Sequence, residues 1–164
     1  MGSGDPARAV GLLDEAQASS RAAGDWFSLV ATLSIKAVAA RQRGDDRLTE
    51  GLLVETVRLS AELRDAWHLV YGVTGLAGLA ARQGEPERAA RLLGAVEAQS
   101  ETMGVEVPGW TWRDLDHDAH LNARHHLGDA AYDAEWSRGR AMTFEQAAAE
   151  ALRGNAPVIP GRTA

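Results

Sequence analysis

The stretch GEPERAARLLGAVEA at residues 84–98 repeats a phrase already written at residues 4–18, GDPARAVGLLDEAQA, and a weaker copy, GDDRLTEGLLVE, lies between them at residues 44–55. At an offset of 40, Gly4, Gly44 and Gly84 coincide, and Leu12-Leu13 falls on Leu52-Leu53 and Leu92-Leu93. Ser20, Ser60 and Ser100 coincide as well, as do Ala37 with Ala77, Ala40 with Ala80, Asp25 with Asp65, and Phe27 with Trp67. A fixed period of about 20–50 residues marks a stacked repeat array, in which each unit buries its apolar face against the next.

Local chemistry divides each unit into two helices. Gly4-Asp5-Pro6 reads as a helix start, with Asp5 as acceptor for the first free amides and Pro6 at the first helical position. Val10, Leu13, Ala16 and Gln17 then follow helical spacing, and Gly24-Asp25 is a stop followed at once by a start. The second helix carries Trp26, Phe27, Val30, Leu33 and Ala37 and stops near Gly44. Nothing alternates as a strand does. The spacing therefore predicts an all-α chain with helices over 6–22, 26–42, 46–63, 66–83, 86–102, 111–127, 130–138 and 144–153. Short connections make these antiparallel hairpins, expected to stack as a right-handed solenoid. The expected units are repeats at 4–43, 44–83 and 84–127 and a cap at 128–153, one domain over 1–154, followed by a flexible tail at 155–164. Thr143-Phe144-Glu145-Gln146 has the capping-box pattern that opens a short final helix.

The paired helices, the small residues at their crossings and the "GDxxRA…LL" phrasing resemble tetratricopeptide-type repeats with longer helices. Residues 76–152 resemble, more specifically, the C-terminal end of large bacterial regulators of the LuxR type and of related signal-transducing ATPases. The matching residues are Glu87 to Ala98, Pro108, Leu127-Gly128, Tyr132, Trp136 and Gly139 to Leu152. His125-His126 and the Trp-, Asp- and His-rich stretch at 110–120 depart from that pattern. The resemblance implies a regulatory module that senses an inducer or partner and restrains ATPase and DNA-binding portions elsewhere in the parent regulator, and with no basic-then-apolar signal segment at the start a cytoplasmic location is expected.

Composition narrows the chemistry. The 164 residues carry a net charge of −6, so no basic face is expected to follow a nucleic acid backbone. No apolar run approaches the ~20 residues of a membrane span. The absence of cysteine excludes disulfides and thiolate ligands.

Three stretches are candidates for a site. DLDHDAHLNARHH at 114–126 places Asp114 with His117, and His117 with His120, about one helical turn apart, so a metal is conceivable, but no zinc signature fits. A solvated helix face is the simpler reading. GVTGLAGLA at 72–80 puts Gly72, Gly75 and Gly78 inside a helix, where close packing by a neighbour, or less readily the border of a cavity, would offset roughly 1 kcal/mol per glycine. Of the five tryptophans, Trp26, Trp67 and Trp136 are expected in the core, and Trp110 and Trp112 follow a Pro-Gly loop.

No catalytic constellation and no cofactor motif emerges. The leading expectation is a non-catalytic helical module that binds a protein segment or the parent regulator's other domains. The alternative is a small-molecule inducer sensor walled by Trp67, Tyr71, Gly75, Trp110 and Trp112.

Overall fold

A computed structural model of the chain describes residues 6–104 and 113–154, with residues 6, 7, 9 and 113–117 described by backbone alone. The helices are α1 (Pro6–Ala23), α2 (Trp26–Gln42), α3 (Asp46–Leu63), α4 (Ala66–Arg82), α5 (Pro86–Met103), α6 (Arg113–Leu127), α7 (Asp129–Arg140) and α8 (Phe144–Ala151). No strand occurs among the described residues. The chain is all-α, and the predicted spans end within two residues of these bounds. The predicted start of the sixth helix at 111, and the tail at 155–164, lie outside the described residues.

The 40-residue period of the sequence is built on a 20-residue rhythm of the backbone. The first five helices begin at residues 6, 26, 46, 66 and 86. Each ends at a residue in the left-handed region: Gly24, Gly44, Arg64, Gly84 and Gly104, with φ between 54° and 79°. The next residue serves two helices. Its N–H bonds back to the outgoing helix, Asp25 to Ser20 O at 2.9 Å, Asp45 to Ala40 O at 3.0 Å, Asp65 to Ser60 O at 2.9 Å and Glu85 to Ala80 O at 2.9 Å. The carboxylates of Asp25, Asp45 and Asp65 then accept from the amides of Ser28, Leu48 and His68, opening the incoming helix. Glu85 makes no such bond, and Pro86 occupies the first helical position instead.

This joint explains the small residues at 20-residue intervals. Ser20, Ala40, Ser60, Ala80 and Ser100 are all buried where helices converge. The hydroxyls of Ser60 and Ser100 have no hydrogen-bond partner among the described residues, so size rather than polarity suits them to the position.

Along α1 to α5 each helix packs on the next. Buried leucines and valines form the shared core, among them Leu29, Leu33, Leu53, Val57, Leu69, Val73, Leu92 and Leu93. α4 is central: α2, α3, α5, α6 and α8 all pack on it, and it is buried from His68 to Val70 and from Gly72 to Ala81. Such a helix is apolar all round rather than amphipathic. Gly72 is there for packing: a Cβ would come within 2.7 Å of Val57 Cγ2.

The closest helix crossing joins α5 and α7 through two glycines. A Cβ on Gly94 would lie 2.1 Å from the Trp136 carbonyl oxygen, and one on Gly139 would lie 1.9 Å from that of Arg91. The backbones are in direct contact. Around the crossing, Arg91 donates from Nη1 to Glu135 at 2.6 Å and from Nε to Glu150 at 2.9 Å, tying α5 to α7 and α8. Burial works against the Arg91 charge, but these two carboxylates outweigh it and hold its pKa above the ordinary arginine value. Arg140 grips Glu101 with both terminal nitrogens, at 3.0 and 2.6 Å, and lies over the Trp136 ring.

α8 starts with the expected capping box between Thr143 and Gln146. It then lies against α3, α4 and α5 together. Ala147, Ala148 and Ala151 form its buried face. Arg88 of α5 donates to the carbonyls of Ala151 and Arg153 at 3.0 and 3.1 Å, satisfying the end of α8.

Gly139→Ala therefore destabilises the chain by about 3 kcal/mol or more, because neither backbone can yield. The expected fall in Tm is roughly 6–12 °C in a circular dichroism melt, whereas Gly11→Ala on open surface leaves Tm nearly unchanged. Arg64→Gly acts in the opposite sense. It relieves the one non-glycine residue at positive φ among the described residues, and Tm rises by about 2–4 °C for ~1 kcal/mol gained.

Candidate functional site

The two tryptophans expected in the core at the starts of α2 and α4 are not there. Trp26 is 47% exposed and Trp67 is 44% exposed. Both stand in the first turn of their helix, ahead of Leu29 and Leu69, the first buried leucines of α2 and α4. Trp136 alone of the three packs against the core. Phe27 is also exposed and meets His68 edge-on at 5.3 Å between ring centres. His68 is held by its own cap residue, with Nδ1 at 2.5 Å from Asp65. Trp26, Phe27, Leu63 and Trp67 are thus exposed apolar residues at the end of the molecule where α1 joins α2 and α3 joins α4.

The other proposed pocket walls fall in different places. Tyr71 is partly buried and packs against the core, and Gly75 is buried within α4. Trp110 and Trp112 lie outside the described residues. Asp114 and His117 fall on α6, but their side chains lie outside the described residues. His120 is described: its ring nitrogen meets the Tyr132 hydroxyl. Arg124, over the face of that tyrosine, binds Asp129 at 3.0 Å and Asp133 at 2.9 Å, which fixes the α6–α7 corner. No group of three or more metal-ligating side chains gathers among the described residues.

A cavity of about 490 Å³ opens at the opposite end of α4, between α2, α4 and α6. Gly78, Ala81 and Ala119 leave the space, and Arg41, Arg82, Asp118, Asn122 and His125 bring polar groups to it. Arg82 is anchored, donating from Nη1 to Gly78 O at 3.0 Å and from Nη2 to Asp46 at 2.8 Å. Arg41 has no carboxylate within ion-pair distance among the described residues. Burial and the neighbouring Arg82 charge lower its pKa, while Asp46 and Asp118 pull the other way. The Asn122 side-chain oxygen is buried there without a hydrogen-bond partner. Two guanidiniums over small-residue walls suit an anionic group, carboxylate or phosphate, with the unpaired fork of Arg41 able to meet two oxygens and Arg82 adding charge from its anchored position.

Of the glycines that the sequence offered as a possible cavity border, Gly78 lines this one, whereas the polar groups around it were not foreseen, although a signal existed. Ala39-Ala40-Arg41-Gln42 and Ala80-Ala81-Arg82-Gln83 are the same phrase at the ends of α2 and α4. Nothing local distinguishes an arginine there that finds a partner from one that does not.

Fold and cavity define an all-helical protein with a small polar groove and an exposed aromatic end. Three known proteins are similar to it. HTH-type transcriptional regulators, so named, of Mycobacterium bovis (strain ATCC BAA-935 / AF2122/97) and of Mycobacterium tuberculosis (strains CDC 1551 / Oshkosh and ATCC 25618 / H37Rv) are each 33% identical to it over 131 residues. The match covers 79% of this chain and 14% of each regulator, so the chain spans a small part of their length. No protein-family profile and no solved structure matches. No helix among the described residues is long and apolar enough to cross a membrane.

Proposed function

We propose that the chain is a non-catalytic helical module of the regulatory part of a transcription regulator, a tetratricopeptide-like stack that binds a protein segment or a partner domain. The observation that carries this reading is the 33% identity to HTH-type regulators across 79% of the chain. The consecutive packing of α1 to α5 and the 20-residue joint support a repeat architecture. The net charge of −6 leaves DNA contact to other portions of such a regulator.

A graft tests the reading. Replacing the 131-residue matching segment of one mycobacterial regulator with this chain preserves regulated transcription, and the purified chain associates saturably with the remainder of that regulator. A labelled DNA duplex shows no change in anisotropy with the chain alone. A graft that behaves like a simple deletion, or a chain that binds the duplex by itself, would sink the proposal.

The groove of Arg41 and Arg82 supports a second reading, a sensor for a small anionic inducer. Its ~490 Å³ lies within the ~300–1,000 Å³ typical of ligand sites. A panel of small carboxylates and phosphate esters should then include a compound that raises Tm saturably in the native chain and not in Arg41→Ala. If every stabilising compound acts equally on both, the groove is not its site.

A further inference from the structure

The internal repeat makes α1, α2 and α3 equivalent to α3, α4 and α5, and among the described residues only the second of these triplets carries a helix in its groove. α8 packs on α3, α4 and α5 together, and Leu53 of α3 and Leu92 of α5 are wholly buried. Forty residues earlier, the corresponding Leu13 and Leu52 line a cavity of about 480 Å³ between α1, α2 and α3. Leu48 stands at its edge, 44% exposed, at the position that Arg88 holds beside the end of α8.

The two grooves differ in chemistry as well as in occupancy. Where the second triplet has the buried apolar residues Val54 and Leu76, the first has Asp14 and Lys36, joined at 2.7 Å and so neutralised in place. Arg43 lies at the end of the open groove that corresponds to the C-terminus of α8. Its Nε is used on Ala39 O at 3.2 Å, and no carboxylate pairs with it among the described residues. In the filled groove the carbonyls at the end of α8 are met by a guanidinium at this same end, that of Arg88. Asp45 also lines this end, with its carboxylate taken by the Leu48 amide at 3.0 Å, and a helix laid in the open groove in the direction of α8 brings the negative end of its dipole to the unpaired Arg43.

We propose that the α1–α2–α3 groove docks a short amphipathic helix of a partner protein, alanine-faced like α8, with one polar side chain over the Asp14–Lys36 pair and its C-terminus toward Arg43. This rests on the interaction-module reading and specifies its partner. Leu13, Leu48 and Leu52 supply the apolar contact, and Arg43 sets direction.

A hydrocarbon-stapled, fluorescein-labelled peptide of this chain's residues 141–154 serves as the probe, titrated with the full chain and followed by anisotropy. The expected result is saturable binding that Leu48→Asp weakens at least roughly tenfold and Arg43→Glu weakens severalfold, in variants that melt at the native temperature. Both residues reach solvent, so neither change threatens the fold. Absence of saturable binding up to about 1 mM overturns the proposal. So does binding that survives Leu48→Asp unchanged, because the peptide would then be exchanging with α8 in its own groove. Association of the chain with the regulator in the graft experiment, alongside no peptide binding, overturns the groove and leaves the interaction module standing.

Discussion

The crossing of α5 and α7 at Gly94 and Gly139 is the constraint on which the C-terminal part of the molecule depends. Helix axes ordinarily stand 8–10 Å apart because side chains separate them. Here the carbonyls of Arg91 and Trp136 occupy the volume that a Cβ on the facing helix would need. The approach brings Glu135 of α7 within hydrogen-bonding distance of Arg91, whose guanidinium also reaches Glu150 of α8. Glu150 is only 3% exposed, and its two carboxylate oxygens meet that arginine and Arg153. Buried ion pairs add little net stability when made, yet removing one partner costs roughly 3–5 kcal/mol. The glycine contact and the ion pairs are therefore one device, because the second needs the spacing set by the first.

Much of the fold was legible because its joints are local. A left-handed glycine, an aspartate beside it and a small residue five positions before that aspartate act within one turn of the chain. Their chemistry repeats with the geometry, and helix limits follow from it. Arg64 shows how far the geometry dominates. It stands where Gly24, Gly44, Gly84 and Gly104 stand elsewhere and takes the same backbone conformation at φ 54°. The period of 40 rather than 20 has a physical basis too. Successive helices face different neighbours, so only alternate ones share a buried face, and the leucine pair recurs on α1, α3 and α5 alone.

What depended on distant parts of the chain was not legible. Trp26 and Trp67 have the residue type and the helical setting of core positions, yet among the described residues no other helix covers them. The capping box of α8 announced a helix, while its place against α3 and α4 required knowing where Arg88 and the alanine face would meet. The cavity at Arg41 is of the same kind. Its polar groups come from α2, α4 and α6, and their meeting follows from the packing of three helices rather than from any short motif.

The repeats divide the residues into two kinds, and the division bears on function. Positions that recur, such as Ser20 with Ser60 and Asp25 with Asp65, serve the joints and the core, as any copy of the unit must. Positions that diverge lie where the copies face different surroundings. Asp14 and Lys36 replace Val54 and Leu76 in the groove that α8 does not cover, and the arginine of Ala-Ala-Arg-Gln is paired on α4 but not on α2. A buried apolar pair in one copy and an ion pair in the other is the pattern expected when one groove is sealed by the chain itself and the other stays in water. The divergent residues, rather than the repeated phrase that reveals the fold, are therefore where recognition by this molecule is to be sought.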